Sequence, residues 1–139
     1  MSAPRILVVE DEALVAEDLC DNLRDVGFEP IDVVSSGEAA IETARQLTPD
    51  LVLMDIRLKG TLDGIAAAGA IKETPGCPVV FLTAYAEDTT IQRATAAEPY
   101  GYLVKPVNMR ELQATVQMAL YKARMEKERE ELRRQLEQA

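Results

Sequence analysis

Three carboxylates in this chain stand where apolar runs stop. Ile6-Leu7-Val8-Val9 is followed directly by Glu10-Asp11, and Leu51-Val52-Leu53-Met54 by Asp55. Continuous aliphatic runs of this length fit parallel strands buried on both faces. Each acid is therefore expected at the C-terminal end of a strand, where an open α/β sheet gathers its ligands. Taken singly, acids in that position are ordinary turn formers. Brought together they repel, and the simplest remedy is a hard cation such as Mg2+, usually held by one or two carboxylates, water and a phosphate oxygen. Two more apolar runs end in Thr83, after Val79-Val80-Phe81-Leu82, and in Lys105, after Tyr102-Leu103-Val104. They add a hydroxyl donor and a flexible cation, and the whole set suits one oxyanion.

The elements between these runs have to bring their ends to one place. Leu14, Val15, Leu19, Leu23 and Val26 recur at helical spacing up to Gly27, a natural stop. A short strand over 29–34 precedes Ser35 and Ser36, candidate N-caps for a helix carrying Ala40, Ile41, Ala44 and Leu47. Thr48-Pro49-Asp50 leads into the strand that ends at Asp55. Asp63 can cap a helix through Ile65, Ala68 and Ile71, which runs to the break at Thr74-Pro75-Gly76. A weak Ala/Thr-rich helix near 88–97 leads to a strand over Tyr102–Lys105, closed by Pro106. Alternating strands and helices imply right-handed crossovers and a parallel sheet. The expected fold is a (βα)5 doubly wound, three-layer sandwich, and the strand order 2-1-3-4-5 makes the first and third strands neighbours, converging Glu10, Asp11 and Asp55.

The last helix has its own grammar. Asn108 with Glu111 reads as a capping box, and neither Gly nor Pro interrupts the chain from there to Ala139. Lys122–Glu126, Arg124–Glu128, Lys127–Glu131 and Glu130–Arg134 stand at i,i+4. Met118, Met125 and Leu132 repeat every seven residues, whereas Tyr121, Glu128 and Gln135 make the rest of that seam mostly polar. A single body over 1–121 and a charged helical extension over 122–139 are therefore expected. The extension is read first as a solvated helix; the alternatives are that it pairs with a second copy or continues into a partner.

Size and charge bound the function. A chain of 139 residues with 47% hydrophobic content buries one core. Its net charge of −9 becomes −10 when residues 1–121 are counted alone, which disfavours direct binding to nucleic acid or to an anionic membrane. There is no His, so imidazole bases, His metal ligands and Ser-His-Asp chemistry are excluded. Cys20 and Cys77 have no metal-binding or redox spacing and read as packing residues of a reduced protein. No apolar run approaches the ~18 residues of a membrane span, and a cytoplasmic location is expected.

Val8-Val9-Glu10-Asp11-Glu12, Leu53-Met54-Asp55, Leu82-Thr83-Ala84 and Leu103-Val104-Lys105-Pro106 together resemble the receiver domain of two-component response regulators, over residues 5 to about 121. The resemblance implies that Asp55 is a phosphoacceptor, served by a sensor histidine kinase or a histidine phosphotransfer protein. It implies Mg2+ held by Glu10, Asp11, Asp55 and the backbone carbonyl of Arg57. It further implies that Lys105 neutralises phosphoryl oxygens, that Thr83 hydrogen-bonds one of them, and that Tyr102 is an aromatic switch. Lys105-Pro106 is expected to be cis. Homodimers through the last helix, or through the face made by the fourth helix, fifth strand and last helix, are compatible with the family; the output partner is left open.

Departures fall in the loop Ile56-Arg57-Leu58-Lys59-Gly60-Thr61-Leu62-Asp63-Gly64, which has Lys-Gly where Pro is common and one residue more before Asp-Gly. Arg57 and Tyr85 occupy positions that in the family influence how water reaches the acyl phosphate. Three rivals have weaker support. A phosphatase of the haloacid-dehalogenase type needs an acid two residues after the nucleophile, where Arg57 stands. A flavodoxin-like carrier would place phosphate against Glu10-Asp11-Glu12, which repels it. A receiver-like module that never takes phosphate has no use for the full acid, Thr and Lys set. With no output domain after the receiver motifs, a stand-alone regulator, a phosphorelay shuttle and the front of a longer protein are all compatible with this chain.

Overall fold

The aliphatic runs form strands because their residues fill both faces of a covered sheet. In the computed structural model, which describes residues 2–58, 60, 62–73, 77–84 and 88–138, these are β1 (Arg5–Val9), β3 (Leu51–Asp55) and β4 (Val79–Thr83). Lys59, Thr61, the Thr74-Pro75-Gly76 break and Tyr85 lie outside the described residues. All five residues of β3 are buried, as expected of the middle strand. The edge strands β2 (Glu29–Val34) and β5 (Gly101–Val104) are half-buried. The sheet is parallel throughout, in the order β2-β1-β3-β4-β5.

Helices cover both faces. The strand residues Leu7, Val9, Val52, Met54, Val79 and Phe81 pack against α2 (Gly37–Leu47), α3 (Gly64–Lys72) and α4 (Asp88–Ala96), which contribute Ala40, Ala44, Ile65, Ala68, Ile71 and Ala94. Ile6, Val8, Leu51, Leu53, Val80, Leu82 and Leu103 face α1 (Ala13–Asp25) and α5 (Met109–Gln138), which contribute Leu19, Leu23, Leu112, Val116 and Ala119. Both free cysteines are buried, Cys20 in the second cluster and Cys77 in the first.

The caps follow the sequence. Ser36 Oγ accepts the Ala39 N–H at 3.1 Å and Asp63 Oδ1 accepts the Ala66 N–H at 2.9 Å. Gly27, at φ +95°, ends α1, and Phe28 N–H returns to the Leu23 carbonyl at 2.8 Å. Lys105-Pro106 is cis.

Three expectations need correction. β5 begins at Gly101 and stops at Val104, so Lys105 stands just past the strand rather than inside it. Asn108 Oδ1 accepts from the N–H groups of Arg110 at 2.8 Å and Glu111 at 3.2 Å, but no reciprocal bond from Glu111 completes the box. The i,i+4 ion pairs do not form within 4 Å; among the described residues the tail instead pairs Arg133 with Glu130 at 2.7 Å. Two would-be partners turn back to the domain: Tyr100 donates its hydroxyl to Glu126, and Lys122 Nζ lies 5.4 Å over the Tyr100 ring. The helix is thus continuous across residue 121 and still touches the body at 126. None of the described helices is long and apolar enough to cross a membrane.

Candidate functional site

Parallel register carries the acids to one edge. Val9 pairs with Met54, so the next residues, Glu10 and Asp55, come out side by side beyond the two strands. Backbone bonds hold them there: Glu10 N–H donates to the Val34 carbonyl at 3.0 Å, and Ile56 N–H to the Leu82 carbonyl at 3.0 Å. Asp55 itself pairs with Leu82, which places Thr83 one residue further on. Lys105 N–H donates to the Thr83 carbonyl at 2.7 Å and brings the cation to the same edge.

Glu10 and Asp55 are the buried acids, 2% and 5% exposed, and Asp11 is half-buried beside them. One carboxylate oxygen from each of Glu10, Asp11 and Asp55 lies within 4.8 Å of the others. Lys105 Nζ donates to Glu10 Oε1 at 2.5 Å and to Asp55 Oδ2 at 2.7 Å, so the ammonium sits between the two buried groups. The remaining acceptors are also used. Asp55 Oδ1 takes the Arg57 N–H at 2.9 Å, and Glu10 Oε2 takes the Asp11 N–H at 3.0 Å. Among the described residues no buried side-chain N or O lacks a partner.

The protonation states follow from this crowding. Burial pushes the Glu10 carboxyl up to about 7, Asp55 adds to the push, and Lys105 opposes it. Burial also works against the Lys105 charge, but the hydrogen bonds it donates to Asp55 and Glu10 outweigh it and hold the ammonium above its ordinary value. Near neutrality the ammonium therefore stays charged while Glu10 readily takes a proton. All-oxygen donors with excess negative charge are the donor set a hard divalent cation uses. Above the acids lies a cavity of about 330 Å³, lined by Asp11, Glu12, Asp55, Ile56, Arg57, Thr83, Ala84 and Lys105.

Tyr102 is not part of this cluster. It lies on the α4 side of β5, 39% exposed, with its hydroxyl 2.9 Å from Thr95 Oγ1 and its ring centroid 6.3 Å from that of Phe81. Phe81 and Thr83 point to the same side of β4, so Tyr102 neighbours the Thr83 row without reaching the acids.

Sequence reasoning missed the residue that shapes the loop after Asp55. A Cβ at Gly64 would meet the Asp55 carbonyl oxygen at 1.9 Å, and Gly64 N–H donates to the Ile56 carbonyl at 3.0 Å. The start of α3 is therefore pressed against the phosphoacceptor candidate's own backbone, a contact only glycine permits. The signal was the Asp-Gly pair at 63–64, legible as a cap but not as a close approach. Leu58 and Leu62 pack into the core under the same loop. The Lys105–Glu10 bond was also unforeseen.

The sequence matches the model of the response regulator receiver domain family over residues 6–117. It is 38% identical over 120 residues to the transcriptional regulatory protein PdtaR of Mycobacterium tuberculosis, across 86% of this chain and 58% of that protein. It is 37% identical over 116 residues to the DNA-binding response regulator MtrA of Mycobacterium leprae, across 84% of this chain and 51% of that one. The chain thus spans little more than half the length of these relatives. The signal receiver domain of a modulated diguanylate cyclase from Desulfovibrio desulfuricans G20 superposes with a TM-score of 0.85 at 37% identity, across 90% of this chain and 99% of that one.

Proposed function

Because the chain belongs to the receiver-domain family of response regulators, we propose that Asp55 is its phosphoacceptor. The donor is the phosphohistidine of a sensor histidine kinase or of a histidine phosphotransfer protein. A carboxylate oxygen of Asp55 attacks phosphorus as the P–N bond to the imidazole breaks; the phosphoryl group leaves histidine and forms an acyl phosphate. The observation that carries this reading is the setting of Asp55: a buried carboxylate at the end of the central strand, opening into the cavity and held by Lys105 on one oxygen and the Arg57 N–H on the other. Such a transition state asks for positioning and charge neutralisation more than for covalent chemistry.

Each neighbour has a part. The fixed Arg57 N–H and the ammonium of Lys105 orient the nucleophile, and Lys105 is flexible enough to follow charge onto phosphoryl oxygens. Glu10, Asp11, Asp55 and the backbone carbonyl of Arg57 would hold Mg2+, which when bound supplies positive charge to the transferring group. Thr83 offers a hydroxyl to a phosphoryl oxygen, and Tyr102, on the adjacent strand, is the aromatic whose rotamer reports that bond. Residues 1–121 act as the receiver and 122–139 as its extension. Arg57 supplies no acid to drive turnover, in keeping with a signalling protein.

Intact mass spectrometry after treatment with a small acyl-phosphate donor and Mg2+ tests the assignment. One added phosphoryl group is expected, lost on chelation and lost in Asp55→Asn. Uptake by the Asn variant would refute it.

A further inference from the structure

Arg93 of α4 stands outside the acid cluster, yet it holds the turn that closes the loop after Asp55. Its Nη2 donates to Asp63 Oδ2 at 2.7 Å, while the other oxygen of the same carboxylate, Oδ1, caps α3 through the Ala66 N–H. The next residue, Gly64, is pressed against the Asp55 carbonyl oxygen and donates its N–H to the Ile56 carbonyl at 3.0 Å. Arg57 N–H in turn donates to Asp55 Oδ1 at 2.9 Å. A guanidinium on α4 is therefore joined, through one carboxylate and one glycine, to the backbone that carries the phosphoacceptor.

Other contacts hold the middle of that loop. A Cβ on Gly37 of α2 would meet the Leu62 carbonyl oxygen at 2.8 Å, and Leu58 and Leu62 pack into the core. Its exit into α3 depends on Asp63. Bonds to both oxygens fix the plane of that carboxylate, which the cap alone does not, and Arg93 supplies the second. The guanidinium is steadied from behind, because its neighbour Ala94 is buried in the same cluster as Ile65 and Ala68 of α3. At the opposite end of α3, Lys72 pairs with Glu98, just past α4, at 2.7 Å. That second tie lies away from the loop.

We propose that Arg93 is a positioning residue for the metal site: by holding Asp63 it seats Gly64 on Asp55 and keeps the Asp55–Arg57 backbone, with the oxygens it offers to Mg2+, in one place. The proposal rests on the reading of Glu10, Asp11 and Asp55 as that site. Mg2+ demands near-ideal octahedral geometry, so a loop loosened at its exit lowers the affinity. Charge alone acts the other way, since Arg93→Gln removes a cation from the neighbourhood of a cation site. The sign of the effect thus separates positioning from electrostatics. By linkage, whatever draws α4 away from Asp63 weakens Mg2+ binding, and Mg2+ opposes it by the same factor.

Mg2+ titration of the full chain, followed by amide chemical shifts, tests this. Arg93→Gln, and Asp63→Asn, which keeps an N-cap, should each weaken Mg2+ binding roughly two- to five-fold, the range open to a partly exposed ion pair. The double variant should bind no more weakly than the weaker single one. Arg93→Lys should recover most of the affinity, and Lys72→Gln, which breaks the other tie between α3 and α4, should leave it unchanged. In the metal-free protein the Gly64 amide should exchange faster in Arg93→Gln than in wild type or in Lys72→Gln. An Arg93→Gln protein that binds Mg2+ as tightly as wild type or more tightly, losses that add in the double variant, or an equal loss in Lys72→Gln overturns the proposal. A wild-type chain that takes up no Mg2+ overturns both the proposal and the metal reading beneath it, and is told apart because it shows before any substitution is made.

Discussion

Replacing Lys105 by Met keeps most of the stem and removes the ammonium that bridges Glu10 and Asp55 at 2.5 and 2.7 Å. Side-chain exposures of 20%, 0% and 7% for Lys105, Glu10 and Asp55 place the pair where screening is weak. Removing one partner from a buried ion pair costs up to about 3–5 kcal/mol if the other charge has no escape. Here there is one: Glu10 already titrates at about 7, pushed up by burial and by Asp55 against the pull of Lys105. A folded-state value above the ordinary carboxyl value means that this group's contribution to stability is fully present below about 4.5 and is lost as pH rises through 7. Without Lys105 the proton is held to a higher pH, so the loss continues where wild type has levelled off. Each further pH unit corresponds to about 1.4 kcal/mol for one proton.

The variant should therefore be nearly as stable as wild type at pH 6, and fall behind by about 1–1.5 kcal/mol per unit above pH 7 until it meets the ceiling for a broken pair. Mg2+ should shrink the gap, because a cation among the three carboxylates replaces the missing charge. Urea unfolding of both proteins at pH 6, 7, 8 and 9, in chelator and in Mg2+, measures all of this. A penalty that is constant with pH and indifferent to Mg2+ would show that Lys105 acts through packing alone and refute the reasoning.

Three further outcomes follow from single contacts. Gly64→Ala must move either β3 or α3, since its Cβ would lie 1.9 Å from the Asp55 carbonyl oxygen; a loss of several kcal/mol, about the upper range for point changes, is expected in denaturant unfolding, along with weakened Mg2+ binding. Tyr100, whose phenol burial and Glu126 together push up to about 12, should ionise nearer its ordinary value in Glu126→Gln, which ultraviolet titration reads directly. Asn108→Ala removes the acceptor for two N–H groups at the start of α5 and should cost about 1 kcal/mol by thermal unfolding, with phosphoryl uptake unchanged.

Most of the fold could be read because its strands are pure aliphatic runs with one reading in a covered sheet. The acids could be read for the same reason: a carboxylate ending such a run has one edge to go to. β5 was less legible because an edge strand alternates, and Tyr102 and Val104 look outward while Leu103 packs inward. What escaped were contacts between segments far apart in sequence. The Lys105–Glu10 bond spans 95 residues, and the closeness of Gly64 to Asp55 depends on how a loop of unusual length folds back over two leucines. The tail's first ion pair was misread because Lys122 and Glu126 both turn to Tyr100 of the body, and Glu130 pairs with Arg133 rather than Arg134.

β5 is held by two tyrosines that look to different helices. Tyr102 reaches Thr95 of α4, and Tyr100, just before the strand, reaches Glu126 of α5. A change at the acids arrives first at Thr83 and Lys105, at the C-terminal ends of β4 and β5, whereas the Glu126 contact lies at the opposite end of β5. Turning Tyr102 breaks one hydrogen bond on the α4 side and leaves the clamp on α5 in place. If phosphorylation works through that turn, α4 loosens before α5 does, and the helical tail moves as a rigid extension of the body rather than by melting. Hydrogen exchange around residues 122–130 that stays slow while α4 amides quicken is the signature of that order.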